Sequence, residues 1–134
     1  MAINKHPHQA YQQNAITTAT PEQLTLMLYN GCLKFMKLAR QGIEQQNIEV
    51  KNVNLQKAQN IIHEFMVTLN TEIEISQNLL QLYDYIYRRL IEVNIKNDLT
   101  ILEEVEGYVV ELRDTWKEAM LLSKQAQPVQ GGQA

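Results

Sequence analysis

Nothing in this chain approaches the run of about 18 apolar residues that a membrane-spanning helix needs, so no direct membrane insertion is expected. Cysteine is nearly absent: the lone Cys32 excludes an internal disulfide and fits a reducing, cytoplasmic setting. Proline and glycine are scarce, at three and five residues mostly near the ends, which leaves the middle free for long helices. Basic excess is also missing. A net charge of −3 gives no reason to expect nucleic acid, whose phosphates call for clustered Lys and Arg. The first fourteen residues, MAINKHPHQAYQQN, lack the apolar core of a secretory signal peptide. No Gly-rich phosphate loop occurs, since Gly107 stands alone. The Glu-x-x-His pairs of di-iron helical bundles are absent as well. His6 and His8 flank Pro7 and supply two ligands at most, short of a metal site. His63 reads as a surface or helix–helix hydrogen-bonding residue, and Cys32 as a small buried hydrophobe rather than a nucleophile. The expectation is a protein that is not an enzyme and uses no cofactor or metal.

What is present is helical periodicity in a chain that is 45% apolar and 20% charged, the balance of one globular domain. Residues 1–19 read as a mobile N-terminal arm, 20–124 as a four-helix bundle and 125–134 as a disordered tail. Thr20, Pro21 and Gln23 spell a capping box at a helix start. The first helix is predicted from about Pro21 to Gln45, with Leu24, Met27, Leu28, Gly31, Phe35, Leu38, Ala39 and Gly42 on its core face. Gln46 to Asn52 reads as a polar loop ending in a cap at Asn52. The second helix then runs to about Asn70 over Leu55, Ala58, Ile62, Phe65 and Leu69. Ser76 is the expected cap of a third helix that buries Leu79, Leu82, Tyr83, Ile86, Leu90 and Val93 and ends near Asn94. Asp98 should cap the fourth, over Leu102, Val105, Val109, Leu112, Trp116, Ala119 and Met120. Short loops between such helices favour an all-α, antiparallel up-down-up-down bundle.

The pattern holds more apolar surface than four mutually packed helices need. At 100° per residue, Leu26 and Leu33 fall away from the Leu24/Gly31/Phe35 face of the first helix. Leu80, Tyr87 and Ile91 form a second stripe on the third, and Val53 and Val67 leave the core face of the second. A second apolar face marks a partner site, unless arm or tail residues cover it. Tyr11, a large aromatic in a polar arm, reads either as an incidental exposed ring or as a plug that a partner displaces.

Ala10-Tyr11, Thr18-Ala19-Thr20-Pro21, Leu24, Met27-Leu28-Tyr29 and Gly31 carry the first part of a family resemblance. Lys57-Ala58-Gln59, Ile61-Ile62, Leu79, Leu82-Tyr83, Tyr85, Arg89-Leu90 and Asn94 continue it. Asn97-Asp98, Leu102-Glu103-Glu104-Val105 and Trp116 complete it, over about residues 10 to 120. In these segments the chain resembles the flagellar secretion chaperones of the FliS family. Asn30 departs from the family's usual Asp, removing one charge near the first helix, and Val93 departs from its usual Ala. The resemblance implies a cytoplasmic export chaperone that binds the disordered C-terminal region of flagellin and prevents its premature polymerisation. It further implies delivery to the cytosolic domain of the membrane export gate, with Tyr11 in a docking or regulatory role. Other flagellar regulators are left as further candidate partners, and a monomer or weak homodimer is expected. The partner-binding residues expected on this reading are Tyr11, Leu26, Leu33, Val53, Val67, Leu80, Tyr87 and Ile91. The alternative is a self-associating helical scaffold without flagellin cargo.

Overall fold

The computed structural model describes residues 18–70 and 72–126. Four helices account for nearly all of them: α1 (Pro21–Glu44), α2 (Ile48–Thr68), α3 (Glu74–Lys96) and α4 (Leu99–Ala126). No strand occurs among the described residues. Each helix packs on its neighbours in sequence, and α1 closes the ring against α4. The contacts run in opposite order along every adjacent pair. Tyr29 meets Phe65 while Phe35 meets Lys57, and Phe65 stacks on Tyr83 while Lys51 reaches Asn94. Tyr85 meets Tyr108 while Arg89 meets Glu104, and Asn30 meets Arg113 while Arg40 pairs with Glu106. The architecture is therefore the expected antiparallel bundle.

The capping box forms as read: the Gln23 amide donates to Thr20 Oγ1 at 3.1 Å and the Thr20 amide to Gln23 Oε1 at 3.0 Å. Asp98 also caps as expected, its Oδ1 accepting from the amides of Thr100 at 2.9 Å and Ile101 at 3.2 Å. The α1–α2 connection is shorter than the expected Gln46–Asn52 loop. Asn47, not Asn52, is the cap, accepting from the Val50 amide at 3.1 Å. Two backbone features allow the early start. Gln46 takes a left-handed φ of 55°, and Gly42 lets α2 cross the end of α1 closely. A Cβ on Gly42 would lie 2.6 Å from the Lys51 backbone nitrogen, so only glycine fits there. Starting early makes Lys51 helical, and Lys51 and Asn54 are both buried. At α3 the helix begins at Glu74, before the expected cap at Ser76. Ser76 is buried in the first turn, and Ile73 supplies no side-chain cap.

The core is Tyr29, Cys32, Met36 and Ala39 from α1, Leu55, Ala58, Ile62 and Phe65 from α2, Tyr83, Ile86, Leu90 and Val93 from α3, and Ile101, Leu102, Val105 and Val109 from α4. The buried face of α1 thus lies between the two stripes read from sequence. Leu24, Met27, Leu28, Gly31 and Phe35 sit on the α2-facing shoulder, only partly covered or exposed. Of the face read from sequence Ala39 and Gly42 are buried, and the rest of the buried line passes instead through Tyr29, Cys32 and Met36.

Candidate partner-binding surfaces

At one end of the bundle the helices stop supporting one another. The 28 residues of α4 exceed the 21 of α2, which at 1.5 Å per residue is about 10 Å of unmatched helix. Leu79 and Leu82 of α3 and Leu112, Trp116 and Ala119 of α4, all read as core, line a cleft with Tyr29, Tyr108, Glu111 and Thr115. Its volume is about 310 Å³. One wall is fixed by the Trp116 indole, which donates to the Glu22 carbonyl at 3.0 Å and pins α4 to the first turn of α1.

At the base of this cleft the Tyr29 and Tyr83 hydroxyl oxygens lie 2.7 Å apart, with Phe65 packed on both rings. Burial pushes both phenols above the ordinary tyrosine value, so each stays a neutral hydroxyl. Two hydroxyls carry two protons and only one lies between the oxygens. The second stays with whichever tyrosine accepts, and of the two Tyr29 lines the cleft.

A second concavity of about 430 Å³ runs along α1, lined by Leu24, Met27, Leu28, Asn30, Gly31, Lys34 and Phe35. Lys57 of α2 flanks it, its ammonium 5.3 Å from the Phe35 ring centre.

The sequence-derived partner residues distribute over three regions. Tyr11 lies outside the described residues. Leu26 and Leu33 are half-buried on the side of α1 that carries Asn30 and Arg40 toward α4, and Leu33 packs against the core. Leu80 and Tyr87 are half-buried and Ile91 is 39% exposed along one stripe of α3. The Tyr87 ring sits 6.2 Å from that of His63, which sets this stripe against the outer edge of α2. Val67, one turn past His63, is 60% exposed on the same edge, whereas Val53 is 45% exposed far up α2. Wheel geometry did not single out the cleft residues, because it treats every turn of a helix as equally covered. The signal for them was length: at 28 residues against 21, α4 has stripe left over once α2 has ended.

Little else offers chemistry. Among the described residues no group of His, Cys, Asp and Glu could hold a metal ion. Burial raises the Cys32 thiol to about 12, and among the described residues no helix is long and apolar enough to cross a membrane.

Comparison with known proteins follows this geometry. The family model described as flagellar protein FliS matches residues 4–123. The chain is 56% identical to the flagellar secretion chaperone FliS of Bacillus subtilis (strain 168) over 132 residues, 98% of each chain. It is 39% identical to that of Escherichia coli (strain K12), covering 84% of this chain and 88% of the relative. For the Salmonella typhimurium protein of the same description identity is 38%, with 79% and 81% covered. A crystal structure of a flagellar chaperone from bacteria superposes with a TM-score of 0.69 at 20% identity, over 86% of this chain and 98% of that one. At that identity the likeness speaks to the fold.

Proposed function

This chain belongs to the FliS family of flagellar secretion chaperones, not enzymes, and on that premise we propose that its cargo is the disordered C-terminal region of flagellin. The observation that carries the reading is the open end of the bundle. An apolar cleft with a hydroxyl donor at its base suits an amphipathic segment that folds as it binds. Apolar side chains fill the cleft, and a backbone or amide carbonyl accepts from the tyrosine pair. Holding this segment keeps flagellin from polymerising before export, in the cytoplasm. Ordering a flexible segment offsets part of the contact energy, which suits a complex that must release its cargo. Delivery to the cytosolic domain of the membrane export gate completes the proposal, with Tyr11 as the docking residue.

Titration calorimetry and circular dichroism with a flagellin C-terminal segment test this directly. The expected result is 1:1 binding with a gain of helical signal. Pull-down with full-length flagellin but not with a version lacking its last few dozen residues should agree. No heat and no induced helix would remove the cargo claim. For delivery, Tyr11→Ala should weaken capture of the gate's cytosolic domain without altering bundle stability.

Exposed Ile75, Leu121 and Leu122 favour a second reading, self-association as a scaffold. Sedimentation over a concentration series separates the two. A tight oligomer without cargo favours the scaffold, and a monomer or weak dimer favours the chaperone.

A further inference from the structure

Two glycines in α1 stand in opposite situations. Gly42 is required by packing, whereas a Cβ on Gly31 would meet only the Ile61 side chain, at an ordinary 3.6 Å. Glycine inside a helix is less favourable than alanine, and neither packing nor a turn asks for it at position 31. What its missing side chain does is leave a hollow in the floor of the α1 groove, between Leu28 and Phe35.

The groove is also charged at one end. The Lys34 and Lys57 ammonium groups lie 6.0 and 5.3 Å from the Phe35 ring centre. Neither forms a salt bridge among the described residues, whereas Arg40, Arg88, Arg89, Lys96 and Arg113 all do. Glu64, a turn past Ile61 on α2, falls level with Tyr29 rather than with Phe35, so the positive pole is at Phe35.

We infer that this groove seats a bulky apolar side chain over Gly31, from a partner's amphipathic segment whose carboxylates face Lys34 and Lys57. The occupant is a helix or helix-forming segment. From Leu24 to Phe35 the floor extends about 16 Å at 1.5 Å per residue, long enough for two or three successive anchors. Leu24, Met27 and Leu28 supply adaptable apolar contact, and the two cations fix which way the segment lies. The inference deepens the cargo reading, which supplies the natural occupant.

The test titrates the whole chain and three variants, Gly31→Ala, Gly31→Leu and the double Lys34→Glu/Lys57→Glu. Two probes are used: the flagellin C-terminal segment, and a synthetic peptide pair. The pair has leucines at helical spacing flanked by glutamates, or by glutamines in the twin. Gly31→Ala should raise the melting midpoint yet weaken binding, a combination that a merely structural glycine cannot give. Gly31→Leu should weaken binding about tenfold, the scale of a lost anchor pocket. The charge reversal should weaken it by a similar factor of about ten in low salt, and the difference should shrink as salt is added. The glutamate peptide should bind more tightly than its twin, with amide shifts concentrated on residues 24–35. Undiminished flagellin affinity in both Gly31→Leu and the charge reversal overturns the groove and leaves the cargo reading standing. No flagellin binding by the unaltered chain removes the cargo reading instead. The peptide pair then decides the groove, and equal or absent binding, or shifts elsewhere, overturns it.

Discussion

Where α1 passes into α2 and α3 into α4, Ala39, Leu55, Leu90 and Leu102 are fully buried. Across the same end the Lys51 ammonium donates to the Asn94 carbonyl at 3.1 Å and to Asn97 Oδ1 at 2.6 Å. One cation thus satisfies acceptors at the end of α3 and ties both turns together. At the opposite end Leu79, Leu82, Leu112 and Trp116 are only half-buried, and Ile75, Leu121 and Leu122 are exposed. The difference locates the tighter packing in one half and the half-buried apolar cleft in the other, while Ile48 and Ile95 are exposed singly at the closed end. A bundle built this way can exchange what covers its open end without losing the packing that defines it.

The largest expected effect tests that division. Leu102→Ala, in the closed half, should destabilise by about 2–5 kcal/mol in urea titration. Leu112→Ala at the cleft should lose about 1 kcal/mol, because half-covered atoms have less transfer energy to forfeit. Equal losses would erase the distinction between the two ends. Next comes Gly42→Ala, whose Cβ would meet the α2 backbone and should cost about 1–3 kcal/mol by overpacking. Smaller again is Lys51→Met, which keeps the stem's packing but removes the donor to the Asn94 carbonyl and to Asn97 Oδ1. A loss of about 1–2 kcal/mol is expected for that substitution, with cargo affinity unchanged, since Lys51 lies far from the cleft.

The closed half was the more legible from sequence. There Leu55 and Ala58 of α2 and Leu90 and Val93 of α3 recur at helical spacing, and all are buried. Asp98 announced its helix there, and at the open end Thr20 did the same for α1. The early start of α2 was hidden because its first turn exposes Ile48 and Glu49 and buries Lys51, which reverses the usual pattern. Only the reach of Lys51 to the α3–α4 turn explains that inversion, and a tertiary contact between positions 43 residues apart leaves no local signal. The open half misled for a different reason. Apolar spacing reports which face of a helix is greasy, and it does not report where a neighbouring helix ends. Leu79, Leu82, Leu112 and Trp116 therefore read as core. Leu24 and Phe35 read likewise, although α1 turns Cys32 and Met36 inward in their place.

The smallest expected effect is on acid stability, and it sharpens the comparison because its charges link α3 to α4 beside the closed half. The Tyr85 hydroxyl donates to Glu104 Oε2 at 2.7 Å, and the Arg89 guanidinium donates twice to Glu104 Oε1, at 3.2 and 3.1 Å. The tyrosine bond foremost, then Arg89, holds the Glu104 carboxyl below the ordinary glutamate value. Glu92 is lowered similarly, by Lys96 first and Arg89 second. A carboxyl with a depressed value in the folded state favours folding wherever it is ionised in both states. That contribution is complete above the unfolded glutamate value of about 4.3 and is lost as pH falls through the lower folded values. Glu104→Gln should therefore lower the melting midpoint slightly at neutral pH, with the deficit closing in acid as the unaltered chain loses its own advantage. Added salt should shrink the neutral-pH deficit, since these groups stand near solvent. Melting curves from pH 7 to 3 check this. Curves that stay parallel throughout would mean that the α3–α4 charges contribute nothing, leaving the closed end to apolar packing and Lys51 alone.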